Sequence, residues 1–92
     1  MVIGLLRVRL GIFEACSLKD KRRVTKSLKD RLARRNVSVA EIDDLEHRQT
    51  ATLGIALIAN ESRFVDSTLR KIVDEIRGFP HASLVDFEIE MI

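Results

Sequence analysis

The sequence predicts a single α+β domain whose elements follow the order βαββαβ. Near both ends of the chain, apolar residues recur at every second position, as they do in half-buried strands. Two internal segments carry apolar residues at every third or fourth position, as amphipathic helices do. The chain has 92 residues, of which 46% are hydrophobic and 33% charged. That size and composition are typical of one globular domain, residues 1–92.

The first strand is predicted over residues 2–13. Its apolar positions share one side: Val2, Leu6, Val8, Leu10 and Ile12. The other side carries Arg7 and Arg9. We therefore expect one face of this strand to lie in the core and the other to face water.

The first helix is predicted to begin at Ser17 and to stop near Asn36. Ser17 followed by Asp20 is a variant of the capping box, in which side chains satisfy free backbone N–H groups at a helix start. Asn36 tolerates the left-handed conformation that ends many helices. The apolar stripe of this helix recurs at every fourth residue: Val24, Leu28 and Leu32.

The second half of the chain predicts two strands, over residues 37–43 and 49–59, and then a second helix. Asn60 or Ser62 can cap this helix, and Gly78 is expected to end it. Its apolar stripe is Val65, Leu69, Ile72, Val73 and Ile76. Such a broad stripe predicts that the second helix packs firmly on the sheet.

The last strand is predicted over residues 84–92. Its apolar side is Val85, Phe87, Ile89 and Met91, and its polar side is Asp86, Glu88 and Glu90. The order βαββαβ predicts a ferredoxin-like sandwich, with an antiparallel sheet of order 4-1-3-2 and both helices on one face. In that order, Arg7 and Arg9 face the three acids across adjacent antiparallel strands.

The composition argues against several classes of protein. No apolar run reaches the roughly 18 residues that a membrane span needs. The single Cys16 can neither form an internal disulfide nor hold an iron–sulfur cluster, and it favours a reducing cytoplasm. The acidic loop 43–48 lacks the spacing of a metal-binding loop. No nucleophile motif lies near His47 or His81, so the sequence predicts no catalytic residue, metal or cofactor.

Six segments resemble the YlxP-like family of small bacterial proteins: MVIGLLRVRL, SLKDKRRVTKSLKDRL, NVSVAEID, ATLGIALIAN, RFVD…IVDEI and LVDFEIEMI. Together they span essentially the whole chain. The resemblance implies a ferredoxin-like fold with no assigned activity, substrate or cofactor. It also implies gene neighbours among translation and ribosome-maturation factors.

The first helix concentrates the positive charge of the chain. Residues 17–35 contain nine basic and two acidic side chains, a net charge of +7; because the whole chain carries +2, the remainder carries −5. At 100° per residue, six of the nine lie on the outward face or its flanks. We call these six the basic stripe: Lys19, Arg22, Arg23, Lys26, Lys29 and Arg34. The stripe predicts a non-enzymatic module that binds structured RNA or the ribosome by charge and shape, without reading bases.

Other interpretations of the same residues stay open. Lysine and arginine also collect on any solvated helix face. The basic helix could instead meet an acidic protein partner, in a homo-oligomeric module that buries the uncovered sheet face. A small-ligand or enzyme role, with an unidentified site, is the third class. Against base recognition, no aromatic side chain is predicted in a position to stack on bases.

Lys21 is set apart from the basic stripe because the helical period places it on the core side. A lysine in that position is expected to extend its stem past the sheet edge and to hold its ammonium in water. The alternative is a lysine in a pocket at the start of the helix, where it could bind phosphate.

Overall fold

The computed structural model describes residues 1–92 and contains six elements in the predicted order. They are β1 (Val2–Gly11), α1 (Leu18–Ala33), β2 (Ser38–Asp43), β3 (Thr50–Ala59), α2 (Ser62–Arg77) and β4 (Ser83–Met91). All strand pairs are antiparallel, and the sheet order is β2-β3-β1-β4. Counted from the other edge, this is the predicted order 4-1-3-2. The ferredoxin-like prediction is confirmed.

The core lies between the two helices and one face of the sheet. In β1 the side chains of Leu6, Val8 and Leu10 are buried, whereas Arg7 and Arg9 are exposed, as the alternation predicts. The predicted stripe of α2 is buried at all five positions: Val65, Leu69, Ile72, Val73 and Ile76. The buried residues of α1 are Lys21, Thr25, Leu28 and Leu32. Both helices therefore pack on the same face of the sheet.

Local signals account for both ends of α1. The Ser17 side chain accepts a hydrogen bond from the Asp20 backbone N–H at 3.1 Å, which satisfies one of the free donors at the helix start. The Asp20 carboxylate accepts the Cys16 N–H, also at 3.1 Å. Asn36 follows the helix in the left-handed region, with φ 61°. The predicted start at Ser17 is confirmed, whereas the helix ends at Ala33 with Arg34 as its C-cap, and Asn36 turns the chain two residues later.

The start of α2 differs from the prediction. Its N-cap is Glu61, which makes no side-chain cap hydrogen bond, so neither Asn60 nor Ser62 is the cap. Gly78 is the C-cap, as predicted. The broad apolar stripe of α2, and not a capping side chain, therefore accounts for the stability of this helix.

The strand β4 breaks its alternation once. Arg9 pairs with Asp86 but Leu10 pairs with Leu84, so Val85 forms a bulge. The predicted inward position of Val85 is wrong: Leu84 faces the core instead, and Val85 is 54% exposed.

Phe87 is less buried than the alternation predicts. It lies opposite Val8 on the core side of the sheet, yet it is 36% exposed. The reason is that β4 is an edge strand, so no further strand covers its outer side. The Arg77 guanidinium of α2 lies 5.5 Å from the centroid of the ring and covers part of it.

The sheet register brings the predicted opposite charges together on the face away from the helices. Arg7 pairs with Glu88 and Arg9 with Asp86 along the β1–β4 ladder, and both pairs form exposed salt bridges. Exposed pairs of this kind contribute about 0–1 kcal/mol each. Their value here is diagnostic, because they face one another only when β1 and β4 are antiparallel neighbours.

Candidate nucleic-acid interface

The basic stripe occupies the solvent side of α1. Its side chains are exposed, apart from the half-buried Lys29. Only Lys26 has an acidic partner on the chain, Asp30, whose carboxylate lies 2.8 Å from the Lys26 ammonium. The other five stripe residues form no salt bridge: Lys19, Arg22, Arg23, Lys29 and Arg34. The structure therefore leaves five cations of one helix uncompensated.

The remaining basic residues of the 17–35 segment serve the fold. The Arg31 guanidinium lies 5.1 Å from the ring centroid of Phe79, a cation–π contact between α1 and the chain that follows α2. Arg35 pairs with Glu75 of α2 at 2.6 Å. These contacts tie α1 to the second half of the chain. Arg31 and Arg35 therefore hold the helix in place, whereas the stripe residues face solvent.

Asp30 is the one acid within the stripe, and its pKa is lowered by the positive charges around it. The hydrogen bond from Lys26 lowers the pKa of Asp30 below its ordinary value, and the charges of Lys29 and Arg34 lower it further. The same hydrogen bond raises the pKa of Lys26. Both groups are thus ionised at neutral pH, so Asp30 offsets the charge of Lys26 and leaves the other stripe residues free.

Lys21 is fully buried, and the prediction that its ammonium reaches water is wrong. The ammonium donates to the backbone carbonyls of Asp44 at 2.7 Å and Thr50 at 3.0 Å. It also donates to the Leu45 carbonyl at 3.4 Å, and the Glu41 carboxylate of β2 lies 2.9 Å from it as an ion-pair partner without accepting a hydrogen bond. An ammonium has three N–H donors, and this arrangement uses all of them within the chain. Lys21 therefore has no donor left for a phosphate, which excludes the alternative role as well.

The fold explains why Lys21 has these partners. Asp44 adopts the left-handed conformation, with φ 60°, at the point where the chain leaves β2. The Asp44 and Thr50 carbonyls, at the two ends of the β2–β3 loop, both accept from the one ammonium. The Glu41 carboxylate oxygen that faces the ammonium is buried and accepts no hydrogen bond, so Lys21 is its only charge partner. Lys21 thus joins α1, β2 and the β2–β3 loop at one buried point.

A depression of about 410 Å³ lies beside the basic stripe. Arg23 and Ser27 of α1 line one side, and Phe79 and His81 line the other. The Phe79 and His81 rings meet edge to face, with centroids 5.8 Å apart. Asp20 and Glu14 also line this depression, so its lining carries both signs of charge.

The structure contains no group of three or more His, Cys, Asp or Glu side chains positioned to hold a metal ion. Cys16 is a free, exposed thiol. Neither helix combines the length and apolar character that crossing a membrane requires.

Comparison with known proteins places the chain among proteins of the same size. The model of the family described as "Protein of unknown function (DUF503)" matches residues 3–89. The "Uncharacterized protein YlxP" of Bacillus subtilis (strain 168) is 31% identical over 80 residues, which is 86% of this chain and 87% of the relative. The resemblance to the YlxP-like family is confirmed.

Two solved structures share the fold. A de novo designed protein with a ferredoxin fold superposes with a TM-score of 0.62 at 16% identity, over 98% of this chain and 86% of that one. The designed protein Foldit4 superposes with a TM-score of 0.52 at 15% identity, over 99% and 94% of the two chains. At such low identity these likenesses show the fold alone.

Proposed function

The chain belongs to the DUF503 family of proteins of unknown function, and we propose that it is a non-enzymatic module that docks on structured RNA through the basic stripe of α1. The observation that supports this proposal is the set of five uncompensated cations on one exposed helix face. Like charges on one helix repel one another, so such a surface costs stability until an anionic partner neutralises it. A polyanion supplies that neutralisation.

The length of the stripe suits a nucleic acid. The 16 residues of α1 extend over about 24 Å at 1.5 Å per residue, long enough to contact several phosphates of a folded RNA. Each neutralised phosphate releases condensed counterions, so affinity falls steeply as salt rises. Contacts of this kind position an RNA but do not read its bases.

The proposal is tested by reversing stripe charges that no fold contact uses. The substitutions Lys19→Glu and Arg23→Glu, made together, are expected to weaken binding to a hairpin RNA about tenfold or more at low salt. They should also lower the slope of log K against log salt by about two, because two phosphate contacts are lost. Fluorescence anisotropy over a salt series measures both quantities.

The matched control reverses two charges on the other helix. Arg63 and Lys71 of α2 are exposed and form no salt bridge, and Arg63, like Lys19, lies in the first turn of its helix. Either double variant changes the formal net charge from +2 to −2. The Arg63→Glu, Lys71→Glu variant should bind RNA nearly as the wild type does. Equal losses in the two variants would show diffuse charge attraction and would contradict a defined site on α1.

Self-association through the open sheet face is a second candidate, favoured by its exposed apolar residues. Ile42 and Ile58 are 52% and 60% exposed, and the neighbouring positions are small: Ala40, Gly54 and Ala56. If this face pairs with a second copy, the wild type should sediment as a dimer and the Ile58→Glu variant as a monomer, because a buried unpaired carboxylate is costly. Sedimentation of the wild type as a monomer at high concentration would reject this candidate.

A further inference from the structure

The loop between β1 and α1 exposes an aromatic ring. Phe13 is 67% exposed, the highest value among the four phenylalanines. From the sequence, no aromatic side chain is predicted in a position to stack on bases, and this exposed ring was not identified. The alternation of β1 had assigned the segment up to residue 13 to a strand, but β1 ends at Gly11 and the chain turns there.

The exposed ring is held in a fixed place. Its far end occupies the space over Gly11 that a side chain would take, since a Cβ on Gly11 would lie 2.3 Å from the ring. The Gln49 side chain donates to the carbonyls of Phe13 and Ala15, each at 3.2 Å. The backbone of Gln49 in turn accepts the Ile12 N–H at 2.8 Å. These contacts order the loop, so the exposure of the ring is part of the fold and not the result of a loose segment.

The ring shares a depression with polar side chains and one arginine. Phe13 lines a depression of about 450 Å³ together with His47, Arg48 and Gln49 of the β2–β3 loop. Arg48 is exposed and forms no salt bridge, and Glu46 is the one acid in the lining. An aromatic ring beside an unpaired guanidinium suits a nucleotide, whose base can stack while its phosphate meets the cation. An apolar peptide would leave the guanidinium without a partner.

We propose that Phe13 is a stacking platform for an unpaired base of the RNA, with Arg48 contacting a neighbouring phosphate. The proposal rests on RNA docking through α1 and deepens it by specifying the kind of RNA. Phe13 precedes the N-cap of α1, Ser17, by only four residues. Its ring lies over Gly11, which alternates with Arg7 and Arg9 on the side of the sheet away from the helices. An RNA that contacts both the ring and the basic stripe therefore passes around the end of the sheet at which α1 begins. The RNA predicted by this arrangement combines a helical segment with an adjacent bulge or loop.

The test compares two RNAs with the same number of base pairs, one fully paired and one with an unpaired bulge. The wild type should bind the bulged RNA about tenfold more tightly, since stacking of a base on an aromatic side chain is worth about that much. Phe13→Leu, which retains an apolar cover over Gly11, should lose this preference and keep its affinity for the duplex. Phe13→Tyr should keep both. The Lys19→Glu, Arg23→Glu variant should weaken binding to both RNAs.

The remaining outcomes separate this proposal from the docking proposal. A Phe13→Leu variant that keeps the full preference, or a wild type that has none, overturns the stacking platform and leaves docking through α1 intact. Equal losses on both RNAs for Phe13→Leu would show a structural role and would also overturn the platform. An anchor for an apolar peptide would leave both RNA affinities unchanged in that variant. Failure of the wild type to bind either RNA overturns both proposals.

Discussion

Replacement of Lys21 by alanine is expected to lower the free energy of unfolding by about 3–5 kcal/mol. The substitution leaves the buried Glu41 carboxylate without its only charge partner. It also removes the donor from the Asp44 and Thr50 carbonyls, and buried polar groups without partners are costly. Since small domains have total stabilities of about 5–15 kcal/mol, this loss would take a large fraction of the total. Urea unfolding followed by circular dichroism measures it.

Two further variants show whether the ion pair is responsible. Lys21→Met combined with Glu41→Leu removes both charges and keeps side chains of similar volume, so it should recover much of the lost stability. Lys26→Ala removes a lysine of the same helix whose partner Asp30 is exposed, and its effect should be far smaller. A loss below about 1 kcal/mol for Lys21→Ala would show that the buried contacts contribute little.

Replacement of Ile72 by alanine is expected to lower the free energy of unfolding by about 2–5 kcal/mol. Ile72 is fully buried in the middle of the α2 stripe, among side chains that pack against the sheet. Truncation removes apolar area from the core and leaves a cavity that neighbouring groups fill only in part. Leu28→Ala on α1 should have a comparable cost, because Leu28 is equally buried.

Phe64 supplies the control for this measurement. It lies on the same helix but is 56% exposed, so Phe64→Ala removes a larger side chain and should cost much less than Ile72→Ala. Chemical denaturation under the same conditions compares the two variants. If the two losses were equal, the assignment of the α2 stripe as the main contact with the sheet would be wrong.

The fold could be predicted because most of its signals are local. Alternation in β1 and the four-residue spacing in α1 each need only a short stretch of chain, and the order of elements then restricts the sheet to few topologies. The prediction was wrong at Val85 and Phe87, where a bulge and an open sheet edge decide burial. Neither a bulge nor an edge position can be recognised from a period-two pattern.

The candidate site could be predicted only in part. The helical period places Lys21 toward the core, but the position of its ammonium depends on a loop more than twenty residues away. One feature of the sequence indicated this contact. Glu41 alternates with Val39 on the inward side of β2, and a buried carboxylate needs a buried cation as its partner. In the same way, the pairing of Arg35, which lies outside the stripe, depends on a tertiary neighbour, Glu75 of α2.

The most direct test of RNA docking through α1 is a titration of the isotope-labelled protein with hairpin RNA, followed by two-dimensional NMR. We expect the largest chemical-shift changes along the outward side of α1, at the basic stripe from Lys19 to Arg34. Resonances of Arg63 and Lys71 on α2 should hardly move, and raised salt should reverse the changes at α1. Shifts concentrated on α2 or on the open sheet face, or spread evenly over the surface, would contradict the account.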